Sequence, residues 1–403
     1  MEKIKKIYFY YLSGVISFLF FLPNFINSNL GSDWDSYALI GTHLNFFEDN
    51  TYIPSRPPGF PGYELIVSTL IKFSELINFI SLEQTLLFFQ FVIVLLLNYL
   101  IYLFFSKNEL SNYLFFILLI ISPIYVISSI SVIDYALGSL FGFLSFYIYL
   151  YKERFIFILP ICLTISIASR LSNLIFLFAI IFVSLFIEND FRKTFSISFT
   201  TLFLILTFYY FPYNNLYSAY FEQGVMSQPV EFLCVLNLTN TEMSLVDRIG
   251  RIVLKHINLL GTIGSVVILF LLKNFKMQKM KLDYLLLFTI LLFELSFFRL
   301  PTEEGHLMPV LISLVILFGR LNLNPKLVSL LLLFVLSSNF VEVKFYSVNE
   351  VDSASSINIE LYVDEGYYLQ DYDIRNQKSE NKEFHYLNSK KSIKEAWANG
   401  CPN

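Results

Sequence analysis

Asp33 and Asp35 stand two residues apart in Gly31-Ser-Asp33-Trp-Asp35-Ser-Tyr37-Ala38, just past the end of an uncharged apolar run over residues 7–26. Carboxylates at such a water–lipid boundary can take a proton from a reacting hydroxyl, or offer hard oxygen ligands to Mg²⁺ or Mn²⁺. Downstream, the stretch Tyr52-Ile-Pro-Ser-Arg56-Pro57-Pro58-Gly59-Phe-Pro-Gly62-Tyr-Glu64 carries an arginine set by a Pro-Pro-Gly turn. Proline and glycine define the backbone direction closely there, so the Arg56 guanidinium is expected to be held rather than waving in solvent. Arg170 sits between two short apolar runs, 155–169 and 171–187. Arg299 precedes the Glu303-Glu304-Gly-His306 loop, and His306 itself could donate to a phosphate or ligate a metal. Glu294 lies inside an apolar run, where an ionisable group is costly and so is often paired or functional. Taken singly, each residue also has an ordinary reading, as a solvated loop carboxylate or an arginine reaching toward headgroups. The ordered set in one loop is what points to a site.

The elements that must position these residues are apolar helices. Of 403 residues, 56% are hydrophobic, 18% aromatic and 15% charged, with a mean hydropathy of +0.61; a soluble domain is nearer a quarter charged. Residues 7–26, 85–105 and 113–133 carry no charge, about the length a helix needs to cross hydrocarbon. This excludes a soluble enzyme, a disordered chain and a disulfide scaffold. A net charge of −4 without a basic stripe predicts no nucleic-acid partner. Eleven spans are predicted, near 7–26, 84–105, 111–132, 134–151, 155–169, 171–187, 195–212, 252–272, 283–299, 306–320 and 325–341. Alternate loops then hold Lys107; Lys152 and Arg154; Arg192 and Lys193; Lys273 through Lys281; and Arg320 and Lys326, the cytoplasmic bias of basic residues. The segment 63–80, interrupted by Lys72 and Glu75, reads instead as a helix lying along the outer face. The predicted fold is an all-α polytopic membrane protein with its N-terminus inside. Residues 1–341 form the transmembrane domain, with a first outer loop at 27–83 and a middle outer loop at 213–250. Residues 342–403 form a small outer segment that packs on those loops.

The loop motifs resemble those of the GT-C glycosyltransferases, the class of protein O-mannosyltransferases and lipid A aminoarabinose transferases. Asp33-Trp-Asp-Ser-Tyr37-Ala38 is similar to their Asp-Glu-x-x-Tyr-Ala motif, and Arg56-Pro57-Pro58 to their Lys/Arg-Pro-Pro segment. His306-Leu-Met-Pro309 stands where relatives often carry Tyr-x-x-Pro. The chain departs from the pattern at Trp34, which replaces a glutamate and offsets the acidic pair, so either Asp33 or Asp35 can be the base. The resemblance implies a bacterial inner-membrane enzyme with its active site on the outer face. Its partners would be a polyprenyl-phosphate sugar and a glycan, lipid or protein acceptor. It further implies inverting transfer with an aspartate as general base, Arg56, Arg170, Arg299 and His306 toward the donor phosphate, and Tyr37, Pro57, Pro58, Glu303 and Glu304 along the groove. A divalent cation, Mg²⁺ or Mn²⁺, could join Asp33 and Asp35.

Two other readings compete. An O-antigen-type polymerase would carry arginine-rich outer loops, which this chain lacks. A lipid-linked sugar flippase or transporter built from duplicated halves would show an internal repeat, and none stands out. Of three cysteines, Cys162 falls in a span, while Cys234 and Cys401 both fall outside, where a bridge between middle loop and tail could form.

Overall fold

Long uncharged stretches of Leu, Ile and Phe satisfy their own backbone only as helices, because no water is available to them in an apolar setting. The computed structural model describes residues 2–48, 55, 61–77, 81–105, 110–216, 245–257, 259–262, 264–266, 280–299, 304–320, 323–344, 347–351, 354–358 and 362–380. Arg56, Pro57, Pro58, Glu303, Cys234 and Cys401 lie outside them, as do the side chains of Arg299 and Glu304.

The described chain is mostly helical. The helices are α1 (Glu2–Asn27), α2 (Trp34–Glu48), α3 (Pro61–Ile77), α4 (Leu82–Phe104), α5 (Leu110–Ile120), α6 (Pro123–Ile130), α7 (Tyr135–Tyr151) and α8 (Leu159–Ser169). They continue with α9 (Leu174–Phe182), α10 (Phe191–Leu216), α11 (Leu245–Ile257), α12 (Lys281–Arg299), α13 (Met308–Gly319), α14 (Pro325–Ser337) and α15 (Tyr367–Glu380). Two stretches, Tyr8–Asn27 and Leu82–Phe104, are long and apolar enough to cross a membrane. α5 and α6 join them if counted as one span, broken by a 53° bend. The bend has a local cause: Pro123 supplies no N–H and disfavours helical backbone at Ser122, which is extended at ψ 132°. Proline can also open a helix, as at Pro325, where Asn324 caps α14 by accepting the Lys326 amide at 3.0 Å.

Between the apolar faces, buried amides knit α1, α4 and α6. Asn98 donates to Ser17 at 3.1 Å, Gln90 to the Ser129 carbonyl at 3.0 Å, and Asn24 to the Ile130 carbonyl at 3.1 Å. Such contacts add directionality where dispersion alone has little. Charged side chains gather in two sets at opposite helix ends. Asp134, Arg170 and His306 meet where α7 begins and α8 ends. Lys193 and Lys281 pair with Glu188, at 3.1 and 2.5 Å, where α7 ends and α10 and α12 begin.

The tail is not helical throughout, which corrects the all-α expectation there. β1 (Val341–Lys344) pairs antiparallel with β4 (Tyr362–Glu365), and β2 (Ser347–Val351) with β3 (Ala354–Asn358). The β1 stretch Val-Glu-Val-Lys alternates apolar and charged residues, a strand period that the composition of the tail as a whole conceals. α15 then docks on the end of α1. Tyr368 donates to the Phe20 carbonyl at 3.1 Å, Asn29 to Asn376 at 2.7 Å, and the fully buried Arg375 to Asn24. Asp371 neutralises Arg375 through Nε at 2.7 Å. Removing one member of such a buried pair strands the other charge, at about 3–5 kcal/mol. Arg375→Met is therefore expected to release α15 first, read as new proteolytic cleavage near residue 365 in the purified protein; an unchanged cleavage pattern would show that Arg375 does not hold the helix.

Candidate functional site

After α1 the chain turns through Ser28, whose φ of 54° lies in the left-handed region. It re-enters helix at Trp34 with Asp33 as the cap: Asp33 Oδ1 accepts the Asp35 amide at 3.2 Å, leaving one fewer orphan donor in the first turn of α2. Asp35 sits inside that first turn, where the helix dipole favours a carboxylate. The two aspartates that the sequence could not tell apart thus have different settings. One caps the helix, and the other lines a water-sized pocket with Leu39, Ser55, Tyr63, Glu64, Ile133 and Asp134.

Asp134 connects the cleft to a buried cluster. It ends the loop before α7, and the Val132 amide in that loop donates to the Leu30 carbonyl at 2.7 Å, fastening it to the first loop. Arg170 breaks from α8 into extended backbone at φ −158°, ψ 119°, so its side chain turns back along the α7 N-terminus. Its Nη1 donates to Asp134 Oδ1 at 2.9 Å, and its Nη2 to His306 Nε2 at 2.6 Å. The guanidinium lies over the Tyr135 ring, 4.1 Å from the centroid. A guanidinium only donates, so the His306 nitrogen facing it is the one bearing the lone pair. Arg170 and Asp134 are 6% and 2% exposed, and charges so dry persist only when paired. Gly305 permits the packing, since a Cβ there would come within 2.3 Å of the Tyr135 ring. At the α7–α8 crossing Ser166 donates to the Gly138 carbonyl at 2.6 Å, and Asn173 to the Ser166 carbonyl at 3.0 Å.

The opposite wall of the cleft comes from α3. Glu64 is buried, and its Oε1 accepts both the Ser55 amide, at 2.7 Å, and the Ser55 hydroxyl, at 2.6 Å. Gly62 lets α3 approach α8, where a Cβ would lie 2.8 Å from that of Ala168. Asp35, Glu64 and Asp134 therefore converge, one each from α2, α3 and the start of α7. A carboxylate that lines such a pocket beside a compensated ion pair can take a proton from a hydroxyl brought against it. Among the described residues no group of three or more His, Cys, Asp or Glu side chains is disposed to hold a metal ion.

Of the residues chosen from sequence, Arg170 and His306 meet here, and Asp35 shares a pocket with Asp134, the partner of Arg170. Asp33 is adjacent as the cap. Tyr37 is buried in the core and does not line this cleft; burial pushes its phenol up to about 12. Arg56, Pro57, Pro58 and Glu303 lie outside the described residues, although Ser55, bonded to Arg56, lines the cleft. Glu294 stands apart and pairs with His256 at 2.8 Å. Sequence reading assigned no role to Asp134, Tyr135 or Glu64. The signal for Asp134 was available: a lone acid between apolar runs, at the same predicted height as the lone base Arg170.

A double-mutant cycle of Asp134→Asn and Arg170→Met, read by denaturant unfolding, is expected to show a coupling of about 3 kcal/mol. A coupling below about 0.5 kcal/mol would mean that the pair does not hold the cluster.

No protein-family model matches the chain, and no curated protein or solved structure matches it either.

Proposed function

We propose that this chain is a GT-C-type membrane glycosyltransferase that moves a sugar from a polyprenyl phosphate to an acceptor hydroxyl at the outer face of a bacterial inner membrane. The observation that carries the reading is the small pocket shared by Asp35 and Asp134, with Asp134 in turn paired to Arg170 and Arg170 donating to His306, from chain segments separated by apolar helices. The two charge sets at opposite helix ends support the alternating eleven-span topology, which puts Asp35, Asp134, Arg170 and His306 outside and Lys193, Lys281 and Arg320 inside. Beside the cleft, an apolar groove lined by Gly62, Leu65, Ile66, Thr69, Leu70 and Ile165 suits an isoprenoid chain.

Asp35 is the general base. It takes the proton of the acceptor hydroxyl as that oxygen attacks the anomeric carbon and the carbon–oxygen bond to phosphate breaks. One displacement inverts the configuration, so no second nucleophilic carboxylate is needed. The departing lipid phosphate gathers negative charge, which a guanidinium stabilises best. Arg56, one residue past Ser55, takes that role, with Arg299 the second candidate from sequence. Arg170 is already engaged by Asp134 and His306, so a phosphate oxygen reaching it would compete with Asp134. A divalent cation at Asp33 and Asp35 would compete with the Asp35 amide for Asp33 Oδ1; no step is assigned to it.

The test is consumption of a panel of radiolabelled undecaprenyl-phosphate sugars by purified protein, with and without EDTA. Asp35→Asn is expected to lower consumption by roughly 10²–10⁴-fold. Asp33→Asn keeps a capping oxygen and is expected to stay within about tenfold of wild type. Full activity in Asp35→Asn would remove the base. Transbilayer movement of intact lipid-linked sugar without consumption would put a flippase in place of the enzyme.

A further inference from the structure

Glu294, an acid inside an apolar run, is accounted for by the helix beside it. α11 packs on α12 through His256, whose Nε2 lies 2.8 Å from Glu294 Oε2 and whose ring meets that of Phe297 edge-on at 5.9 Å. The chain then turns. The Ser265 hydroxyl donates to the Ile257 carbonyl at 2.9 Å, Gly261 takes φ 73° against Ser338, and the Thr262 amide donates to Glu342 at 2.9 Å. These contacts fix α11 at the end of α12 that leads to the His306 turn, beside the start of the tail. Two characters are separated around this helix. Ile249, Ile252, Val253 and Ile257 recur at the three- and four-residue spacing of one face, and Arg248, Arg251 and Lys255 at the same spacing of another. Asp247 is the one acid in the helix. The protein covers only part of the apolar face: Ile252 packs on the core, whereas Ile249 and Val253 are 48% and 52% exposed. Its 13 residues reach about 20 Å, short of the roughly 30 Å of a hydrocarbon core. Three cations at that depth would be costly, and bulk water suits the exposed Ile249 and Val253 no better. A headgroup boundary satisfies both faces.

We propose that α11 is an interfacial helix that binds anionic phospholipid of the bilayer itself, with Ile249 and Val253 entering the acyl boundary and the Arg248–Arg251–Lys255 face meeting the headgroup phosphates. A net negative headgroup is the partner this charge selects, since zwitterionic lipid offers it no net attraction. The occupant is a lipid and not a soluble anion, because a soluble anion would leave the neighbouring apolar residues in water. The assignment needs the membrane and does not depend on the glycosyltransferase reading.

The test is photo-crosslinking in a defined bilayer. Full-length protein with Val253 replaced by p-benzoylphenylalanine is reconstituted into phosphatidylcholine vesicles holding a fixed minority of phosphatidylglycerol. After irradiation, mass spectrometry of the α11 peptide counts adducts of each lipid. Phosphatidylglycerol adducts are expected to exceed their share of the vesicle lipid by at least about fivefold, the worth of one cation at an anionic surface. In about 1 M salt, where the screening length shrinks to about 3 Å, they are expected to fall back to that share. Replacing Arg248, Arg251 and Lys255 together by Gln is expected to abolish the enrichment, whereas Arg248→Lys with Arg251→Lys keeps it. A ratio equal to the vesicle composition, or enrichment that survives the glutamine replacement, overturns the proposal. So does loss of enrichment in the lysine pair, which would assign the effect to shape and not to charge. Capture of protein in place of lipid at position 253 overturns it as well, putting another segment or a second copy on this face. Should the triple replacement not give a monodisperse protein, the salt series and Arg251→Gln alone, expected to cut the enrichment several-fold, decide in its place.

Discussion

Burying one arginine and one aspartate among phenylalanines and leucines is costly, and the rest of this architecture depends on how that cost is met. Asp134 and Arg170 have left water almost entirely, and each is tolerable only while the other is in place. The pair fixes where α7 begins and α8 ends, brings the His306 turn against both, and sets the depth of the cleft that Asp35 faces. Close packing at Gly62 and Gly305 and the Ser166–Gly138 contact complete the arrangement without adding charge. Few other contacts in the described chain constrain so many elements at once.

Much of this was legible in the sequence because apolar runs and charges leave clear marks. Apolar helices fall on the long uncharged stretches, although the run 113–133 is broken before Pro123. Among the described residues only two or three helices are long and apolar enough to cross a membrane, and the segment around Lys72 and Glu75 is a helix, α3. Arg170 and His306 drew attention as isolated polar residues at the edges of apolar runs, and the fold joins them directly. Pairing was harder to see. Asp134 and Arg170 are 36 residues apart, and nothing in local periodicity says that α7 and α8 run back beside each other closely enough to touch. Nor does spacing reveal that Asp33 caps a helix, since that role depends on where α2 starts and not on the residue itself. The tail misled for a different reason. Its strands are four or five residues long, too short for alternation to stand out against mixed polar composition.

The offset of the acidic motif by Trp34 also takes on a physical meaning. In a helix that starts at residue 34, the side chain of the first acid can reach forward to accept the amide of the second because one residue separates them. An Asp-Trp-Asp arrangement therefore divides capping and pocket-lining duties between its carboxylates, whereas adjacent acids would present a different pair of directions.

The docking of α15 on α1 has a consequence for the order of synthesis. Arg375 meets Asn24 across 351 positions of sequence. At roughly 5–20 residues per second, the amides at the end of α1 wait on the order of tens of seconds for the helix that will cover them. Until then α1, and the acidic turn that follows it, face solvent or lipid without that neighbour. A chain stopped short of α15 keeps every long apolar helix described here and lacks that cover, so hydropathy alone does not distinguish such a copy from one that carries α15.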